Sequence, residues 1–236
     1  MQMINVRLKF TKGNEVKYIS HLDLMRTFMR AVRRANIPIA YSGGFNPHPE
    51  MSFGAPLSVG VISLAEYVDI ALAKEVALQE ILDGLNQSMP VGIKVLGAIE
   101  LPERFKSAMA LITHAKYGVK IKTENMNQED LRVKLIDFIN QESILAKKKQ
   151  PKKNFQMKIV EIRPMILEMN FLGCKEEYCD FSCLLQSGSK ANLNPEILMQ
   201  AFAEYAKLSI NRITITREEV FVEKDEKLID LLQYRD

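Results

Sequence analysis

Residues 4–40 read INVRLKFTKGNEVKYISHLDLMRTFMRAVRRANIPIA, and their patterning decides the fold. Ile4, Val6, Leu8 and Phe10 alternate with Asn5, Arg7 and Lys9, the period of two that marks a half-buried strand. From Ser20 the period lengthens. Leu22, Met25, Phe28, Met29, Val32 and Ala35 recur at helical spacing over residues 20–35. Ser20 followed by Asp23 resembles a capping box at the helix start. Residues 38–41 read as extended again, so the chain opens β-α-β.

Outward from that stretch the pattern continues. Residues 57–72 read as extended, with Val68, Ile70 and Leu72 on one face. Leu78, Ile81, Leu82, Leu85 and Met89 predict a helix despite Gly84, a residue that costs a helix interior roughly 1 kcal/mol. Residues 93–99 close the half as a strand. The second half repeats the order. Tyr117, Val119 and Ile121 alternate, and Asn127 heads a helix carrying Leu131, Leu135, Phe138 and Ile139. Residues 155–162 and 165–172 read as a strand pair turned at Arg163-Pro164, and residues 180–186 as a further strand. Asn194-Pro195 opens a helix with the stripe Leu198, Ala201, Phe202, Tyr205 and Leu208, before a last strand over residues 213–222. The expected fold is α+β: two ferredoxin-like βαββαβ units, residues 1–105 and 106–236, each an antiparallel sheet with helices on one face.

A chain of 236 residues that is 47% hydrophobic and 26% charged has the composition of a packed domain rather than of a disordered one. No apolar run approaches the ~20 residues of a membrane span, and the first ten residues lack a signal peptide's apolar block. The expected location is cytoplasmic. A net charge of +3 is too mild for the whole surface to bind nucleic acid, so any such role rests on local clustering. Cys174, Cys179 and Cys183 are an odd set in one short region, which suits reduced thiols better than a disulfide framework. Neither their spacing nor that of His21, His48 and His114 matches a metal-ligand set, so no metal and no cofactor is expected.

The clustering is found on the first helix. Arg26, Arg30, Arg33 and Arg34 fall within an arc of about 100° at the helical angle per residue. Each guanidinium offers phosphate a planar donor fork. The alternative is an ordinary solvated face, although Asp23 is the only acid on this helix. A restricted loop follows: Tyr41, Ser42, Gly43, Gly44, Phe45, Asn46, Pro47, His48, Pro49. Gly43-Gly44 permits a left-handed turn or close approach of a ligand. Tyr41, Phe45 and His48 are residue types that stack on single-stranded bases. Phe45 and Phe53 read more simply as plugs of the core. The predicted nucleic-acid contacts are therefore Arg26, Arg30, Arg33, Arg34, Tyr41, Ser42, Gly43, Gly44, Phe45, Asn46 and His48.

Weaker basic features support the same direction. Arg7 with Lys9, and Lys120 with Lys122, lie on the non-core faces of their strands, where RNA could reach them. Lys147, Lys148, Lys149, Lys152 and Lys153 form a basic run across Pro151, read as a solvated loop able to contact phosphate backbone. Residues 188–195, GSKANLNP, lead into a helix start that is either an anion site or a plain capped turn. Asp23, His48, Glu66 and Asp69 are the acid–base candidates, and none has a partner constellation in the sequence. No catalytic residue is assigned.

Residues 19–60, ISHLDLMRTFMRAVRRANIPIAYSGGFNPHPEMSFGAPLSVG, closely resemble the radical-SAM-linked family of uncharacterised bacterial proteins. Glu66-Tyr67-Val68-Asp69, Ile162-Arg163-Pro164, Gly188-Ser189 and Asn192-Leu193-Asn194-Pro195 extend the resemblance over nearly the whole chain. The resemblance implies a domain fused behind radical S-adenosylmethionine proteins or encoded beside them, and so a radical enzyme as partner. The expected function is an RNA-binding accessory protein that presents tRNA or ribosomal RNA to that enzyme. The alternatives are an RNA-modifying enzyme of pseudouridine-synthase-like architecture, and a protein-interaction module that binds no RNA.

Overall fold

A computed structural model describes residues 4–123, 127–150 and 156–235. The chain divides into two compact units, Met1–Thr113 with Arg217–Asp236, and His114–Thr216. The unit boundary expected from the sequence places all of residues 106–236 in the second unit. The last twenty residues instead return to the first, because a late strand pairs there.

In the first unit β1 (Ile4–Lys12), α1 (His21–Arg34), β2 (Met51–Phe53), β3 (Ile62–Leu72), α2 (Leu78–Ser88) and β4 (Val95–Leu101) follow in the order β-α-β-β-α-β. Strands pair antiparallel in the order β4-β1-β3, and the short β2 also pairs with β3. Of residues 38–41, Ile39 and Tyr41 enter isolated bridges only. Register sets Val6 opposite Ile70 and Leu8 opposite Val68, which gathers the apolar residues on one sheet face. Helices α1 and α2 cover that face.

The core there is Val6, Leu8, Phe10, Phe28, Val68, Ile70, Leu72, Ile81 and Leu85. Its centre is aromatic, with ring centroids of Phe10 and Phe28 4.6 Å apart and of Phe28 and Phe53 5.3 Å apart. Helix α1 buries Leu24, Phe28, Ala31 and Val32. Leu22 and Met29, predicted on the core side, are 53% and 37% exposed, because only one arc of the helix meets the sheet. The capping box is present: the Ser20 hydroxyl accepts from the Asp23 amide at 3.1 Å and donates to its carboxylate at 2.7 Å. Gly84 has a packing reason, since a Cβ there would lie 3.2 Å from Ala35 Cβ at the end of α1.

Helix α3 (Ala108–Leu111) precedes the second unit, where β5 (His114–Lys122) and α4 (Gln128–Ile139) are followed by β6 (Leu145–Gln150) and β7 (Gln156–Glu161). Then come β8 (Ile166–Lys175), β9 (Tyr178–Gln186), α5 (Pro195–Ala206), β10 (Arg212–Lys224) and β11 (Lys227–Asp230). β5, β9 and β8 pair antiparallel in that order. Val119, Ile121, Phe181 and Leu185 are buried there, as are Leu135 and Phe138 of α4 and Leu198 and Phe202 of α5, and the Phe202 ring packs against those of Phe138 and Phe181. Asn127 and Asn194 cap their helices as predicted. Tyr205, predicted in the buried stripe of α5, is 43% exposed.

β7 pairs back onto β6, not forward across Arg163-Pro164. Glu161 fixes that corner by accepting from the amides of Ile144 and Arg163 at 2.9 and 2.8 Å. The basic run is thus in part a strand rather than a loop. Lys147 pairs with Glu204 at 2.6 Å, while Lys148 and Lys158 stand opposite each other, both exposed. Lys152 and Lys153 lie outside the described residues. The cysteine expectation is also corrected. Cys174 and Cys179 face each other across the β8–β9 hairpin and form a disulfide, and Cys183 is buried and takes no part in it. Among the described residues, no helix is long and apolar enough to cross a membrane.

Candidate nucleic-acid interface

The sheet face of the first unit that turns away from α1 and α2 carries charge, but the charge is neutralised. Arg7 and Asp69 are register partners and form a two-pronged pair at 2.7 and 3.0 Å, only 1% and 4% exposed. Arg7 also donates to the Lys106 carbonyl at 2.9 Å, and Asp69 accepts from the Ala108 amide at 2.7 Å. Lys9 bonds to Glu219 and, at 2.6 Å, to Asp230, while the Tyr67 hydroxyl donates to Glu219 at 3.1 Å. Arg7 and Lys9 are therefore not open to RNA as predicted. Register places acids directly beside them. Lys120 and Lys122 likewise have Asp180 at 3.6 Å and Glu177 at 2.9 Å. Glu66, an acid–base candidate in the sequence, is buried against Arg217, whose guanidinium also donates to the Ala55 carbonyl at 3.0 Å.

The Lys9 group makes stability depend on pH. Burial pulls the Lys9 ammonium down, but hydrogen bonds to Asp230 and Glu219 outweigh this and hold its pKa above the ordinary lysine value. Burial and the nearby Glu219 and Asp230 charges push the Tyr67 phenol up as well. A group whose pKa rises on folding adds stability that is complete below its unfolded value and fades as pH climbs through the folded one. Both unfolded values lie near ~10. Denaturant unfolding across pH 8–11 should therefore show stability falling on the alkaline side. Lys9→Met should flatten that fall without abolishing it, because Tyr67 remains.

The arginine stripe divides in two. Arg26 pairs with Asp23 at 3.3 Å on the exposed surface, and Arg34 donates to the Ser88 carbonyl at the end of α2. Arg30 and Arg33 are exposed and have no ion-pair partner among the described residues. Leu22 and Met29 are exposed on the same helix.

The loop after α1 is a closed, braced structure. Tyr41 bridges to Pro49, the Ser42 amide donates to the His48 carbonyl at 2.9 Å, and the His48 amide donates to the Ser42 hydroxyl at 3.1 Å. The same hydroxyl lies 2.8 Å from His48 Nδ1. Gly44 takes φ +104°, the left-handed geometry that glycine supplies at the tip. Phe53 does plug the core, but Phe45 does not: it is fully exposed, and Tyr41 is half-exposed. Brace and turn leave Phe45 at the loop tip with no apolar neighbour to bury it.

Ser42 and His48 gather at a cleft on the neutralised sheet face, together with Asn5, Glu50, Ser52, Asp69 and Phe105. None of Arg26, Arg30, Arg33 and Arg34 lines that cleft. Arginines and cleft are therefore two surfaces of one unit, joined by residues 35–42. Asn5 was legible as a non-core strand position. Ser52 and Phe105 had no signal, since the first lies on a three-residue strand and the second in a connecting segment.

A family model described as "Uncharacterized protein conserved in bacteria (DUF2344)" matches residues 5–195. The chain belongs to this family. No curated protein sequence matches this DUF2344 member. Among solved structures it is similar to a chain in the crystal structure of a Cbf5–Nop10–Gar1 complex, with 11% identity and a TM-score of 0.50. That match covers 98% of this chain and 53% of the other. A chain in an H/ACA ribonucleoprotein bound to a substrate RNA containing 2'-deoxyuridine matches at 11% identity and a TM-score of 0.49, over 98% and 52% of the two chains. The DUF2344 chain thus spans about half the length of these structural neighbours, and the likeness is one of fold.

Proposed function

We propose that this protein binds single-stranded RNA, from tRNA or ribosomal RNA, in the cytoplasm, and presents it to a separate radical S-adenosylmethionine enzyme. The observation that carries the reading is the braced loop with its fully exposed Phe45 and half-exposed Tyr41, just after a helix whose Arg30 and Arg33 have no ion-pair partner among the described residues. An exposed aromatic on a rigid loop offers a stacking surface to unpaired bases at little ordering cost. The two guanidiniums offer phosphate contacts. The radical enzyme comes into the reading from the sequence resemblance. A role as the RNA-modifying enzyme itself has less support, because Glu66 and Asp69 are both committed to buried ion pairs.

The test is RNA affinity against salt. Log affinity for a single strand falls by about 0.7 per contacted phosphate per unit of log salt. Two arginine contacts should contribute a slope of about −1.4 to the wild-type value, and the Arg30→Ala, Arg33→Ala double variant should lose that contribution. No binding of single-stranded RNA, or a slope that the double variant leaves unchanged, overturns the reading. A second reading is favoured by exposed Leu22 and Met29 among the arginines: docking of a protein with an acidic, partly apolar surface. Capture of the radical enzyme that survives nuclease and high salt, with no RNA affinity, would establish that reading instead.

A further inference from the structure

The cleft beside His48 has a volume of about 330 Å³ and opens on the sheet face opposite the helices. Its lining is unlike that of a phosphate site. No lysine or arginine borders it, and Arg7 behind it is committed to Asp69. Besides the Ser42–Pro49 arm, Met51 and the paired Asp69, its lining includes an aromatic residue, Phe105, and three further polar side chains, Asn5, Glu50 and Ser52. All four are at least partly exposed, and these polar groups make no side-chain hydrogen bond among the described residues. Phe105 is held in place by its neighbours, since Arg7 and Asp69 bind the Lys106 carbonyl and the Ala108 amide. The opposite wall is the braced His48 arm.

A flat apolar wall, a carboxamide and an unpaired carboxylate match the face and edge of a nucleobase. A carboxylate only accepts while it is ionised, and uracil's single edge N–H lies between two carbonyl oxygens that repel it, so the carboxylate favours a base that presents an amino group. We infer that this cleft takes one amino-bearing base, cytosine, adenine or guanine, in preference to uracil, with Phe105 stacked on its face and Glu50 accepting from its amino group. The inference rests on the RNA-binding reading and adds to it the class of nucleotide that is singled out. Asn5 and Ser52 complete the edge. The cleft repels phosphate, so the strand's backbone stays outside it.

The test compares oligo(C), oligo(U) and an oligo(C) with one central abasic site, by fluorescence anisotropy at fixed salt, with free cytidine followed by calorimetry. The expected result is about tenfold tighter binding of oligo(C) than of oligo(U), the size of a lost stack or base-edge contact. Phe105→Ala should lower oligo(C) affinity about tenfold, and Glu50→Gln should bring oligo(C) and oligo(U) within about threefold of each other. The wild-type comparison stands even where a variant fails to fold. If all three oligonucleotides bind equally and neither variant changes this, the cleft inference is overturned while RNA binding survives. If cytidine binds in a Phe105-dependent manner but no oligonucleotide does, RNA binding is overturned and the base site survives. Absence of all binding overturns both.

Discussion

Asp69→Ala is expected to destabilise the protein by roughly 3–5 kcal/mol, the cost of leaving one charge of a buried pair alone. The alanine removes two hydrogen bonds from Arg7 and the acceptor for the Ala108 amide. Arg7, 1% exposed, would retain only the Lys106 carbonyl. Removing both charges together, as Arg7→Met with Asp69→Leu, should cost clearly less than the single change, because no orphan charge remains. The chain has no tryptophan, so denaturant unfolding followed by far-ultraviolet circular dichroism is the suitable measurement. A loss below about 1 kcal/mol for Asp69→Ala would mean that water reaches Arg7 and that the pair is not truly buried.

Phe28→Ala is expected to cost about as much, roughly 3–5 kcal/mol, by a different route. Its ring is fully buried between Phe10 at 4.6 Å and Phe53 at 5.3 Å, beneath α1 and over β1. Alanine leaves a cavity that neighbours on a paired strand cannot collapse into. For a two-state unit within a chain of this length the loss corresponds to a midpoint shift of roughly 6–20 °C. Phe28→Leu, which keeps most of the volume, should recover more than half of it. If the leucine variant were as damaged as the alanine one, ring geometry rather than filled volume would be the stabilising element.

Local features of this chain were legible and distant ones were not. The capping box at Ser20, the asparagine caps at Asn127 and Asn194, and the alternation through Leu8 and Val68 all depend on residues within a few positions of each other. The wrong expectations share a different cause. Arg7 meets Asp69 across 62 residues, and Arg217 meets Glu66 across 151, so neither partner is visible in a short window. The non-core faces of Arg7 and Lys9 were correctly placed, yet their openness was misjudged for that reason. Phe45 and Phe53 look alike in sequence. Strand β2 and the Tyr41–Pro49 bridge decide that one is inside and the other outside. At the candidate site, the loop residues announced themselves through glycine and proline, while Phe105 became part of a cleft only through its neighbours' bonds to Arg7 and Asp69.

The return of the chain's end to the first unit bears on how the protein is made. Glu66 waits for Arg217, and Lys9 waits for Glu219 and Asp230, all of which are translated after His114–Thr216. On the ribosome, the contiguous stretch His114–Thr216 can therefore complete its fold while the earlier-born N-terminal region still holds two unmatched charges. Vectorial synthesis here reverses the usual order, and a premature stop near residue 216 would leave the N-terminal half, not the C-terminal one, as the target of quality control.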